Sequence, residues 1–150
     1  MSITPQDFIR SAEKLLEEDL EINYRNAGSR AYQGAHHACR QLRERLNLGP
    51  LINVPEREGC HKKLIRSLQQ TPLPLQKGPA WHRAINIRQL GHLLSSVRDL
   101  RHGADYGLEQ PFTRQKAQQL VLSSQIIVNQ VNQLLDHSEH GVAKPQPATL

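Results

Sequence analysis

Apolar residues recur every three or four positions along nearly the whole chain, which is the period of a helix with one buried face. No stretch alternates as a half-buried strand would. The pattern predicts five helices. The first runs from Pro5 to Glu18, with Thr4 as N-cap, Asp7 three residues on, and Phe8, Ala12, Leu15 and Leu16 inward. The second runs from Ile22 to Leu48 on a stripe of Tyr24, Ala27, Ala31, Ala35, Ala38, Leu42 and Leu46, and Asn47-Leu48-Gly49-Pro50 stops it. The third, Pro55 to Gln70, turns Cys60, Leu64, Ile65 and Leu68 inward. TPLPLQKGP cannot be helical and reads as a loop. The fourth helix runs from Ala80 to His102, with Gly103 offering an end. The fifth runs from Pro111 to His137 on Ala117, Leu120, Val121, Ser124, Ile127, Val128, Val131 and Leu134. The expectation is an all-α, up-and-down bundle of about five helices over residues 1–140. Residues 141–150 (GVAKPQPATL) would form a disordered tail.

Composition narrows this picture without changing it. In 150 residues only 4% are aromatic, so the core must be aliphatic and alanine-rich, which favours helices over a sandwich or barrel. The ridge of Ala27, Ala31, Ala35 and Ala38 lets another helix approach closely and places the second helix at the centre. No apolar run reaches the roughly 20 residues of a membrane span, and no basic-then-apolar leader opens the chain. Two cysteines, Cys39 and Cys60, make no disulfide framework and read as reduced thiols in a cytoplasm. His137-x-x-His140 supplies two ligands, too few for a metal site, and no metal or cofactor is expected.

Charge is unevenly spread. Residues 1–21 hold two basic and six acidic side chains, residues 22–103 fourteen and four, and residues 104–150 three and four. An arginine-rich middle suits a polyanion such as RNA, because guanidinium grips phosphate through two N–H groups. A solvated helical surface would carry the same charge. Within the second helix, Arg30 and His37 fall on one flank, with backbones about 10 Å apart at ~1.5 Å per residue. His36 falls on the opposite flank with Tyr32, Arg40 and Arg43. The fourth helix holds the sharper anomaly. Its stripe runs Ile87, Leu90, Leu94, Val97, then Arg101, then Ala104, so a guanidinium stands where an apolar side chain is due. Burying it unpaired would cost several kcal/mol. It must pair, with Asp105, four residues on, the nearest candidate partner, or face a groove. Arg98, His102 and Tyr106 stand beside it, and the cluster reads either as an internal salt bridge or as an anion site.

Two of these segments resemble the HEPN superfamily, small all-α proteins of prokaryotic toxin and defence systems. One subgroup carries YR-x-A-x-SRAYYAAFHAA on its second helix, and here Tyr24 to Ala38 reads YRNAGSRAYQGAHHA. Its Ser-His-Lys stretch opening the third helix is matched by Cys60-His61-Lys62. Its R-x-x-ADYG closing the fourth is matched by Arg101 to Gly107, RHGADYG. The resemblance covers about residues 5–137. It implies metal-independent cleavage of RNA by a homodimer, with an Arg on the phosphate and a His moving a proton at the 2′-OH or the leaving oxygen. Active relatives carry R-x(4–6)-H at the end of the fourth helix. This chain departs there: Tyr106 is fifth after Arg101, and Gly103, Ala104 and Asp105 occupy the allowed positions after Arg98. The formula is met only on the second helix, by Arg30 with His36 or His37, away from its usual place.

The expected function is therefore an RNA-binding, toxin-type endoribonuclease acting on single-stranded RNA as a homodimer. Arg101, Tyr106, His102 and Arg98 are its catalytic candidates. Arg30, His37, His36 and Asp105 are its RNA- or phosphate-binding candidates, with Arg30 and His37 expected to line a groove next to Arg101 and Tyr106. The alternatives are a silent dimeric partner of a nucleotidyltransferase-type antitoxin, which would modify Tyr106, and a nucleotide-binding regulator.

Overall fold

The structure, a computed structural model, describes the backbone of residues 2–48 and 59–143 and the side chains up to His137. It is an all-α bundle of five helices: α1 (Pro5–Leu15), α2 (Glu21–Arg45), α3 (Cys60–Gln69), α4 (Pro79–Tyr106) and α5 (Arg114–Ala143). No strand occurs among the described residues. Thr4 and Asp7 form a reciprocal capping box at the head of α1, with Pro5 at the first helical position. Thr113 Oγ1 accepts the Lys116 N–H at the head of α5.

The alanine ridge does what small residues allow. Ala27, Ala31, Ala35 and Ala38 are fully buried, and α2 packs against each of the other four helices. The approach is closest at glycines. A Cβ on Gly34 would stand 2.8 Å from the Pro5 carbonyl oxygen of α1, and one on Gly91 of α4 would stand 2.7 Å from the Gln69 backbone nitrogen of α3. Either would force two backbones apart. Around this frame Leu90, Leu94, Leu120 and Ile127 are wholly buried, each worth about 1.5–3 kcal/mol. Every inward position expected on α5 is buried. On α1 the buried face is Ile9, Ala12 and Leu16, while Phe8 and Leu15 are only half-buried.

Several boundaries differ from expectation. α1 stops at Leu15, a turn before Glu18, where the Leu16 and Glu17 N–H groups fold back onto Glu13 and Lys14 carbonyls. α2 stops at Arg45, with Asn47 taking the left-handed turn at φ 49°. α4 runs through Gly103 to Tyr106. The cause is Arg25, a buried guanidinium on α2. Its Nη1 donates to the Gly103 and Ala104 carbonyls, and its Nη2 donates to those of Gly107 and Gln110 and to Glu21. The end of α4 is thus capped by an arginine from another helix, and Gly103 has no need to end it. Glu21 Oε1 also accepts the Phe112 N–H, which fixes the chain entering α5. α5 continues to Ala143, so residues 141–143 of the expected tail are helical. The remainder of that tail, the expected Gly49-Pro50 stop and the start of the third helix at Pro55 lie outside the described residues.

Candidate functional site

α2, α3 and α4 bring their polar side chains together at one place. Arg101 leaves the apolar stripe of α4 where the helix turns from the core, and its side chain keeps 20% exposure. Its Nε–H donates to Asp105 Oδ2 at 2.7 Å, four residues along the helix. Its guanidinium carbon lies 5.1 Å from the centre of the Tyr32 ring and 5.9 Å from that of Tyr106. Asp105 also accepts from Ser29 Oγ at 3.4 Å, tying α4 to α2. The carboxylate and the two rings orient the guanidinium, and Asp105 takes the Nε–H. Asp105 is an anchor for Arg101, and its negative charge suits it poorly to the expected role of phosphate ligand.

Tyr32 continues the chain. Its hydroxyl and His61 Nδ1 share a hydrogen bond of 2.8 Å, whose direction follows the His61 tautomer. The rings of His61 and His36 lie 4.2 Å apart. His61 is half-buried in the first turn of α3, whereas His36 is buried on α2 with Nε2 unpartnered among the described residues. Burial, then the charges of Arg101, Arg98 and His102, hold the His61 imidazole below its ordinary pKa of 6.5. Burial, then His61, His37, Arg40 and Arg101, push His36 down to about 4. Burial outweighs the arginines at Tyr32 and pushes its hydroxyl up to about 12, so it stays protonated at neutral pH. The site therefore offers fixed cations beside a neutral imidazole.

Arg98, one turn before Arg101, is half-buried with its Nε unpartnered among the described residues. It borders a shallow groove of about 280 Å³ shared with Lys62, Arg66, Gln69 and Ser95. The His102 and Tyr106 rings lie 5.3 Å apart, tilted by 36°, and Tyr106 is 67% exposed at the helix end. On the other side of the His36–His61 pair lies a groove of about 370 Å³ between α2 and α3. No cluster of three metal-ligating side chains forms among the described residues.

No family model, no curated protein and no solved structure matches this chain.

The structure gathers Arg98, Arg101, His102, Asp105, Tyr106 and His36, but not the expected pair from α2. Arg30 lies about 160° around the helix from Tyr32 at ~100° per residue, and it is exposed on the far side. His37 is exposed and stacks on Phe8 of α1 at 5.2 Å. The flank of α2 that meets Arg101 is the opposite one, which carries Tyr32 and His36. His61 and Tyr32 were not among the candidates drawn from the sequence. The signal for His61 was present in Cys60-His61-Lys62, a histidine opening a helix beside two lysines. Cys60, expected inward, is exposed, because as the first residue of α3 it stands clear of the packed face that begins at Leu64.

Proposed function

We propose that this protein is a HEPN-like, metal-independent endoribonuclease of the toxin or defence kind, acting on single-stranded RNA as a homodimer. Arg101 and Arg98 hold the scissile phosphate. His61, rather than a histidine on α4, takes the proton. The observation that carries the reading is the convergence of Arg101 and a neutral imidazole on one tyrosine, Tyr32. With Nδ1–H donating to Tyr32 Oη, His61 Nε2 presents a lone pair to the ribose 2′-OH. As that proton leaves, the 2′-oxygen attacks phosphorus. The bond to the 5′-oxygen breaks, and the leaving oxygen takes a proton from His102 or from water. The products are a 2′,3′-cyclic phosphate and a 5′-hydroxyl. Guanidinium groups placed on the phosphate stabilise the charge that grows in this step.

The experiment is incubation of the purified protein with a single-stranded RNA oligonucleotide in excess chelator, followed by mass analysis of the ends. Cyclic phosphate ends are expected, and a 2′-deoxy substitution at the cleaved position is expected to block the reaction there. Cleavage that proceeds past the 2′-deoxy nucleotide, or no cleavage of any single-stranded RNA, would count against the reading. One observation favours a second reading, the silent partner of a nucleotidyltransferase: Tyr106 is exposed at the mouth of the site, where an enzyme could add a nucleotide to its hydroxyl. That reading predicts a mass increase on Tyr106 after co-expression with such a transferase.

A further inference from the structure

Cationic side chains do not stop at Arg101. They continue past the His36–His61 ring pair into the α2–α3 groove, which is lined by His36, Arg40, Arg43, Glu44, Cys60 and Lys63. Its opening meets the first turn of α3, where Gly59 provides no side-chain cap for the backbone N–H groups. A helix start alone would mean little. The second observation is His36. It is 7% exposed, forms part of the groove lining, and holds its Nε2 with no hydrogen-bond partner among the described residues. A buried polar atom without a partner costs about 1–3 kcal/mol, so an acceptor arriving in the groove recovers free energy that the empty groove lacks. Glu44 is the one acid among the described residues of the lining. It is 70% exposed and meets Arg40 only at 3.9 Å, a loose surface pair that a doubly accepting phosphate displaces readily.

We propose that the α2–α3 groove is a second phosphate subsite. Arg40, Lys63 and the α3 N-terminal N–H groups receive the oxygens, and His36 Nε2–H donates from the groove wall. On the RNA reading above, from which this inference takes its ligand, the phosphate belongs to the strand held at Arg101. The His36–His61 pair then separates a scissile phosphate from a neighbouring one. A dianionic terminal phosphate and a backbone phosphodiester share the required chemistry.

The test uses the full chain with labelled histidines, titrated with inorganic phosphate against chloride at equal ionic strength and followed by the imidazole resonances. A saturable, phosphate-specific shift at His36 is expected in the wild type and in Arg101→Ala, and its loss is expected in the Arg40→Ala/Lys63→Ala double variant. Arg40 is largely exposed, and an unchanged thermal transition verifies the fold of the double variant. No phosphate-specific shift at His36, or a shift that survives the double variant, overturns the subsite. RNA arms then assign the source. If the double variant lowers the salt slope of binding by about 0.7 for both 5′-hydroxyl and 5′-phosphate oligonucleotides, the site takes backbone phosphate. A loss confined to the 5′-phosphate oligonucleotide assigns it to the strand terminus. A His36 shift that persists when no RNA is bound or cut leaves the subsite standing and removes the ribonuclease reading instead.

Discussion

Arg25 and Arg101 are two arginines set among apolar positions, and they play opposite parts. Arg25 spends its donors on four carbonyls and Glu21, so it is structural. Arg25→Met should cost about 2–4 kcal/mol in urea denaturation, since a stranded buried acceptor costs roughly 1–3 and only the bond to the Ala104 carbonyl is fully buried, the others being part-buried. It should also fray α4 back toward Gly103. Arg101 commits its Nε–H to Asp105 and keeps a fifth of its surface open, which is why it is the better candidate for chemistry. His36 gives a pH signature of its own. Folded, it resists protonation down to about 4, while the unfolded chain takes the proton near 6.5. Stability is therefore complete above 6.5 and falls as the pH drops toward 4. His36→Gln should flatten this part of the pH–stability curve, as read by thermal denaturation; an unchanged slope would mean that the buried imidazole is not its source. At this scale the sequence revealed Arg101, because one polar residue broke a stripe of leucines. It could not reveal which flank of α2 would face that arginine. Arg30 met the spacing rule with either histidine, whereas Tyr32 and His36 met the neighbour, and only the crossing of α2 over α4 decides which flank does so.

Helix crossings fix the site, and glycines fix the crossings. Gly91 lets α3 lie against α4 with Gln69 in near contact, which sets His61 within reach of the α2 and α4 side chains. Gly91→Ala should destabilise the fold by about 1–3 kcal/mol and displace α3. Chemical denaturation would read the first effect. The second would appear as loss of the Tyr32–His61 contact in the histidine spectra. A fully stable alanine variant with unchanged spectra would show that the approach is less tight than drawn. Element existence was legible throughout, since aliphatic periodicity and Pro/Gly punctuation are local signals. The end of α4 was not, because a glycine that stops an isolated helix is overridden by an arginine seventy-eight positions earlier in the chain. The capping of α1 was legible to the residue, because Thr4, Pro5 and Asp7 act within a single turn.

Across the whole molecule, charge is the quantity that matters most. Fourteen of the nineteen lysines and arginines lie between residues 22 and 103. The folded chain sets several of them along the two grooves flanking His61. Binding of single-stranded RNA should therefore weaken linearly with the logarithm of salt, with a slope of about −0.7 for each phosphate engaged. Fluorescence anisotropy across a salt series would read it, and a slope near zero would deny an extended cationic track. Among the described residues no helix is long and apolar enough to cross a membrane. The most direct test of the central claim is single-turnover cleavage of single-stranded RNA in chelator by the wild type, Arg101→Ala and His61→Gln. The account predicts cleavage by the wild type and losses of about 10²-fold or more in each variant, with the wild-type rate rising with pH to a midpoint below 6.5. Wild-type cleavage that either variant retains in full would contradict it.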